Sequence, residues 1–592
     1  MPHRFAPLAI KRGRPRSAAF LLTIVASVSC SVPLAAQDMD RYRPDTPTTG
    51  RNVVNLPVPP ATYADGSPEV IIEELKGVMI LADESRLQDP IKPFEGIRLD
   101  PKADLTVARG DGFKSEMQPY LGQPISILAL NQLAQHIVTM YRNNGQPVVE
   151  VHMPPGQDIT DGVVQVVITE SKIGRIDFRG NCHFDDCLLQ RQSWLRPGQN
   201  IFVASLENEL LWYNKNPYRT VGVTLEPGQA AGTTDVVYSV CEQRPMRGFV
   251  GYRDTGTRST NRERMVFGFN RANPKGDDGQ FSYQFEADAQ LAGRVGVHSF
   301  TYTAPIFDNR DSWTIYGSYG NLDNLLPVAG DPTDGRMWQV SLRYNHPLHE
   351  DNCRLDEMHF GLDVKGTDND LDFGGTNIQS SDVHVVNFMA GLGSRQQYDD
   401  GYTAYGVDGY FSPGHLLSSN RDSDFSRFRS GAKSLYGYGR GYVERLYEVG
   451  ARSDLFVRAT GQLGSYKLLP SEQLGFGGYD TIRGYDMRTV NGDSGYILNM
   501  EYRSKPIIGC CNDKQTSLTL LTFLDAGQQF NWGAYDAALN SPDQEFLAST
   551  GVGLRYSIDP NCSLRLDYGY PLRDKLAENS KGRLHVGAVL SY

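Results

Sequence analysis

The chain has 592 residues, more than one ordinary domain holds. A net charge of −11 argues against a nucleic-acid-binding protein. Past the N-terminus no run of 18 uninterrupted apolar residues occurs, which argues against helical membrane spans but not against a barrel, whose strands are polar at alternate positions.

Residues 1–36 read as an export signal. Arg4, Lys11, Arg12, Arg14 and Arg16 precede the apolar run AAFLLTIVASV, and cleavage is expected after Ala36. Cys30 offers a lipoprotein alternative, but SVS before it is a poor lipobox. Export places the remaining seven cysteines in an oxidising compartment. Cys182 and Cys187 are close enough in sequence for a local disulfide, and the odd total leaves at least one thiol over. Residues 37–69, with PVPP at 57–60, read as a Pro-rich linker.

Two similar units follow, at 70–171 and 172–244. The first has a helix in SILALNQLAQHIVTMYRNNG, with Ser126 as N-cap, Gly145 as stop, and an apolar stripe of Leu130, Leu133, Ile137 and Tyr141. The strand VVEVHM, a turn with PPGQ and the strand GVVQVVITE come next. The second has a helix near 205–217, a strand TVGVTLE, a turn with EPGQ and the strand TTDVVYSVCE. Pro155-Gly156-Gln157 and Pro227-Gly228-Gln229 lie 72 residues apart, as do Glu170 and Glu242. A constant offset through helix, strand, turn and strand predicts two tandem copies of one α+β module. The stretch LADESRLQDPIKPFEGIRLD (81–100) is an insert in the first copy with no assignable role.

From 245 to 592 the texture changes to runs of about ten residues that alternate apolar with polar or small. There are sixteen candidates, joined by short links (307–311, 556–562) and longer ones (322–335, 467–494, 531–545) in alternation. An even strand number with short turns on one side predicts an outer-membrane barrel, because lipid cannot satisfy an open sheet edge. In the last run Leu584, Val586, Ala588, Leu590 and Tyr592 share one face, and Leu590 and Tyr592 read as a C-terminal assembly signal. In TSLTLLTFLDAG, Thr519, Leu521, Phe523, Asp525 and Gly527 share a face, and an aspartate facing lipid would be penalised, so Asp525 is expected to point inward.

Export signal, linker, two periplasmic modules and a sixteen-stranded barrel together resemble the transporters of two-partner secretion, the haemolysin/filamentous haemagglutinin secretion-activation family. The resemblance covers 70–592 and implies an α+β region of two tandem POTRA modules followed by an all-β transmembrane barrel. That family has a [VI]RG[YF] tetrapeptide in the loop after strand eleven, here Ile482-Arg483-Gly484-Tyr485, and an FxDxG pattern on strand thirteen, here Phe523-Leu524-Asp525-Ala526-Gly527. The resemblance implies that the loop 467–494 folds into the barrel and that Arg483 pairs with Asp525. A guanidinium fork suits a carboxylate, and Gly484 lets the loop backbone approach the wall.

The implied function is export of a large partner protein, of adhesin or cytolysin type, across the outer membrane by two-partner (type Vb) secretion. The alternative within the superfamily is insertion of other barrels into the membrane, though that class carries more POTRA modules. The partner's N-terminal secretion domain is expected to dock on the first module, at Leu130, Leu133, Ile137 and Tyr141 and on the strand with Val149 and Val151. Other expected partners are outer-membrane lipid and, during biogenesis, the barrel assembly machinery. The chain is expected to be a monomer without cofactor, metal or nucleic acid. In the family an N-terminal helix can plug the pore, but the prolines of 37–69 argue against a stable one here.

Two fragments invite other chemistry. Gly492-Asp493-Ser494-Gly495 resembles a serine-protease nucleophile site, but no sequence context supplies its histidine, and the chain is not expected to be an enzyme. His346 and His349 fall in an expected solvated turn. Cys353, Cys510, Cys511 and Cys562 map to expected periplasmic turns, where Cys562 could pair with Cys510 or Cys511.

Overall fold

The computed structural model describes residues 40–44, 46, 66–256, 261–291, 293, 295–325, 332–373, 376–511, 514–533, 543–573 and 581–592. The export signal, its cleavage site and most of the expected linker lie outside them.

In the first module the helix Ile127–Asn143 starts where Ser126 Oγ accepts the Ala129 N–H at 3.1 Å, and the chain turns away at Gly145, whose φ is +82°. Its apolar stripe packs on a four-stranded sheet. Val163–Glu170 and Gly77–Leu81 are the central strands, and Val149–His152 and Gly96–Leu99 the edges. In the second module the helix Val203–Tyr213 covers a three-stranded sheet of Lys172–Arg179, Thr233–Glu242 and Arg219–Pro227. Both sheets share one pattern: the last strand runs parallel to the first and antiparallel to the strand after the long helix. The insert 81–100 explains the difference between them. It brings Gly96–Leu99 alongside Gly77–Leu81 in parallel, as a fourth strand at one edge.

From Met246 the chain forms a closed antiparallel barrel, sixteen strands among the described residues when Ser494–Ser504 and Ile507–Cys511 are counted as one strand interrupted at Lys505-Pro506. Closure comes from pairing of the first strand, Met246–Arg253, with the last, Arg583–Ser591. Alternation sets the two faces. Ser282, Gln284 and Glu286 are buried toward the lumen, while Phe267, Phe300, Phe360, Phe388 and Leu520 are exposed on the outer face. At the C-terminus Leu584, Leu590 and Tyr592 face outward, and His585 and Gly587 inward. No described helix is long and apolar enough to cross a membrane.

Several expectations change. Residues 40–44, read as linker, lie against the inner wall. Asp40–Tyr42 form one 3-10 turn, Tyr42 is fully buried against Val295 and Val297, and its carbonyl accepts from Ser299 Oγ at 2.6 Å. Pro44 and the acidic and basic neighbours of Tyr42 did not prevent this, because a single turn needs no helical run. His346 and His349 lie on the strand Pro332–Glu350 rather than in a turn, where His346 meets Asp311 at 2.6 Å and His349 meets Asp351 at 2.8 Å. Cys182 and Cys187 are free, exposed thiols, as is Cys510, and Cys562 is also free. Cys182 sits ahead of the helix Asp186–Gln192 and Cys187 within it, so short sequence separation alone did not bring them together.

Candidate functional site

The strand alternation that turns Asp525 inward also turns Asn499, Glu501 and Asp567 inward, so one patch of wall on strands twelve, thirteen and fifteen (Ser494–Ser504, Lys514–Phe530, Cys562–Pro571) gathers three carboxylates. Carboxylates held out of water require cations, and Asp525, fully buried, takes its cation from the loop. The loop 465–493, between Ser453–Gly464 and Ser494–Ser504, folds inside and supplies it. Arg483 Nε and Nη2 donate to the two Asp525 carboxylate oxygens at 2.7 and 2.9 Å, and its own N–H donates to Asp525 Oδ2 at 3.1 Å. Nη1 donates to Glu501 at 2.7 Å and lies 3.7 Å from Asp567, while the guanidinium sits 3.6 Å above the Phe523 ring. Asn499 ties the pair together, donating to Asp525 at 2.8 Å and to the Thr481 carbonyl at 2.6 Å. Arg503, Arg555 and Arg565 balance the remaining carboxylate charge on Glu501 and Asp567.

Each neighbour of Arg483 has a seat of its own. Ile482 is fully buried with Phe476, Tyr485, Val490, Ile497 and Leu547. A Cβ on Gly527 would stand 2.9 Å from the Ile482 Cδ1, so glycine there makes room for the loop. Tyr485 Oη donates to the carbonyls of Ala548 and Arg573, at 3.0 and 2.9 Å. Gly484 has φ +90°, a Cβ there would meet the Gly569 backbone at 2.9 Å, and its N–H donates to His585 Nε2 at 3.0 Å. Gly484→Val is therefore expected to unseat the loop tip, at a backbone cost of about 1–3 kcal/mol before the clash is counted. Protease added to intact cells should then cut at Arg483, which is buried in the wild type.

The two stems of the loop are anchored separately. Glu472, fully buried, accepts from Lys365 Nζ and Asn387 Nδ2 at 2.9 Å each and from Tyr438 Oη at 2.8 Å. Asp493, also fully buried, holds Arg429, which follows the short helix Asp422–Phe428 of another loop. Ser494 Oγ accepts the Gly464 N–H at 3.0 Å, and the Asp493 carboxylate is engaged by Arg429, so this fragment closes a loop.

The residues marked for partner docking fare differently. Leu133, Ile137, Tyr141 and Val151 are core of the first module, and Leu130 and Val149 are half-buried against it. Their side chains pack the helix onto the sheet and are not a free surface. Val149–His152 is the outermost strand of that sheet among the described residues.

A family model described as haemolysin secretion/activation protein ShlB/FhaC/HecB matches residues 232–556, and one described as POTRA domain, ShlB-type, matches residues 93–171. The heme/hemopexin transporter protein HuxB of Haemophilus influenzae is 20% identical over 589 residues, covering 96% of this chain and 98% of its own. The outer membrane transporter CdiB of Escherichia coli is 22% identical over 430 residues, covering 69% of this chain and 68% of its own. Among solved structures, CdiB from Escherichia coli aligns with a TM-score of 0.68 at 16% identity, covering 91% of this chain and 94% of that one. CdiB from Acinetobacter baumannii aligns with a TM-score of 0.56 at 15% identity, covering 94% and 95%.

Proposed function

The chain belongs to the haemolysin secretion/activation protein ShlB/FhaC/HecB family, and from that premise we infer how its parts export a partner protein across the outer membrane. The observation that carries the reading is a lumen occupied by its own loop. A barrel whose interior is crossed by a segment pinned through Arg483 to Asp525 and Glu501 is closed until that segment yields. The family function of secretion fits this better than insertion of other barrels.

Residues 70–171 and 172–244 are two POTRA modules that receive the cargo in the periplasm, and 245–592 is the conduit. The cargo is a large protein with an N-terminal secretion domain, held extended as it arrives. It adds as a strand to the sheet edge Arg219–Pro227 of the second module, where backbone hydrogen bonds accept any sequence and alternate side chains set preference. The outward row of large apolar side chains is the lipid contact, and the C-terminal strand ending in Leu590 and Tyr592 is the segment the assembly machinery reads. One copy suffices, because the barrel closes on itself. Ser494, Asp493 and the histidines serve structure, and the transporter works without chemistry of its own.

The test is co-expression with a candidate partner encoded beside it. The partner should reach the medium only when the transporter is present, and a partner lacking its N-terminal domain should stay in the periplasm. Normal export of the partner without the transporter would overturn the reading. So would a loss of other outer-membrane barrels on deletion, which would point to an insertase.

A further inference from the structure

The second module is joined to the barrel by two ion pairs of opposite sense. The turn 273–279, between the second and third barrel strands, presents Asp278. Its two oxygens accept from Arg219 Nη1 and Nη2 at 2.7 Å each, and Asn216 adds a bond at 2.8 Å. The Arg219 side chain is wholly buried, stacks 4.7 Å from the Phe184 ring and donates through Nε to the Tyr213 carbonyl at 2.9 Å. The turn 307–310, between the fourth and fifth strands, presents the reverse charge. Arg310 meets the carboxylate of Glu209, 1% exposed, and donates to the Asn208 carbonyl at 2.7 Å. Its guanidinium lies 4.1 Å over the Trp194 ring, and Trp194 Nε1 donates to the Phe307 carbonyl at 3.2 Å. Apolar packing runs through the same junction, since Ala272 of the barrel belongs to the hydrophobic core of the module and Phe307, partly buried, packs against it.

Pulling this junction apart would bare a buried arginine and a buried glutamate on the module and a mate for each on the barrel. Such separation is far costlier than breaking a surface pair. Arg219 is also the first residue of the edge strand Arg219–Pro227. Asn214 caps the start of that edge, accepting the Val221 N–H at 2.7 Å and donating to the Val221 carbonyl at 3.0 Å. The remaining edge, from Val223 onward, lies where an added strand would run.

We propose that the reciprocal pairs Arg219–Asp278 and Glu209–Arg310 keep the second POTRA module fixed on the barrel throughout export, so that its edge strand delivers an extended cargo segment at a set position beside the pore. This rests on the translocator reading above. Arg219 and Arg310 are positioning residues: they touch no cargo. The rearrangement that opens the conduit then lies in the inward-folded loop or between the two modules, and not at the junction of module and barrel.

The experiment uses the full-length protein in outer membranes with its co-expressed partner. Arg219→Asp and Asp278→Arg should each lower export by about tenfold or more at equal barrel level, and the double reversal should restore most of it. A photo-crosslinking residue at position 224 should capture stalled cargo in the wild type and lose it in the single reversals, which a change in module stability shared with the double reversal would not produce. Because buried reversals can unfold the module, a lock provides an independent measurement. Asn273 Nδ2 donates to the His183 carbonyl at 3.5 Å, so His183→Cys with Asn273→Cys, in a chain whose native cysteines are replaced by serine, can be joined by a short reversible thiol cross-linker. The locked protein should export as well as the released one. If the lock stops export and reductant restores it, the module must leave the barrel and the proposal is wrong. If export ignores the charge reversals, the bracket has no role. If the unaltered transporter exports no partner at all, the translocator reading fails and the bracket falls with it.

Discussion

Replacing Arg483 by glutamate is expected to abolish export of the partner protein while leaving the barrel folded in the outer membrane. The guanidinium makes a two-pronged bond to Asp525, a third contact to Glu501 and a stacking contact to Phe523. Losing one partner of a buried pair costs about 3–5 kcal/mol, and a reversal adds a carboxylate to a patch that already holds Asp525, Glu501 and Asp567. The loop would leave its seat. The barrel would not, because its stability comes from a ladder closed between the first and last strands, independent of the loop. Arg483→Lys keeps the charge but loses the fork, so an intermediate loss is expected. The charge-swapped double with Asp525→Arg should recover only part of export. Glutamate at 483 would still face Glu501 and Asp567, and Asn499, which now donates to Asp525, would face a cation. Secreted partner measured by immunoblot, against heat-modifiable barrel on a gel, separates the two effects. Undiminished export by Arg483→Glu with normal barrel would mean that the pinned loop takes no part in transport.

The sequence made the architecture legible because periodicity and repetition are local signals. Ser126 and Gly145 bracket a helix, and a period of two separates Asp525 from lipid. The same period, applied to YILNMEYRS and CSLRLDYGY, marks Glu501 and Asp567 as inward too. What it cannot say is that they meet Arg483, because that depends on how neighbouring strands are staggered around the barrel. His585, 101 residues from Gly484, is hidden for the same reason. The burial of the stripe expected to dock the partner has a different origin. An apolar face at helical spacing identifies the side that packs on the sheet, so Leu133, Ile137 and Tyr141 were bound to be core before they could be a surface. The residues around Tyr42 were missed because composition describes a segment's own preference and says nothing of a lumen waiting to receive it. The second module's junction with the barrel escaped as well. Arg219, Glu209, Asp278 and Arg310 are unremarkable charges in sequence, and only their mutual burial singles them out.

Asp493 illustrates how a motif can mislead about chemistry and still mark a place that matters. In Gly492-Asp493-Ser494-Gly495 its environment is that of a hub. Besides Arg429, its carboxylate accepts the N–H groups of Leu468 and Trp532 and the Gln473 amide, each at 3.0 Å, and its own N–H donates to Asn531 at 3.1 Å. These partners come from the first stem of the inward loop, from the loop carrying Asp422–Phe428 and from the segment after strand thirteen, so Asp493, on the second stem, ties three loops together. Asp493→Ala would leave Arg429 buried without its counter-charge and several donors unsatisfied, at about 1–3 kcal/mol for each buried group. The expected result is a barrel that assembles normally, retains the Arg483–Asp525 pair, and opens from the outside: greater ion conductance in planar bilayers and new protease cleavage between 465 and 475 in intact cells. Asp493→Asn keeps the acceptor but not the charge, so it should fall between alanine and wild type, with Arg429 as the group it fails to satisfy. If conductance and cleavage are unchanged by alanine while Arg483→Glu opens the pore, the inner pair alone holds the loop and the outer stem is passive. If alanine opens the pore and leaves export intact, closure is governed by the stem and transport by the tip of one segment, which would explain why a single loop is anchored by buried charges at both places.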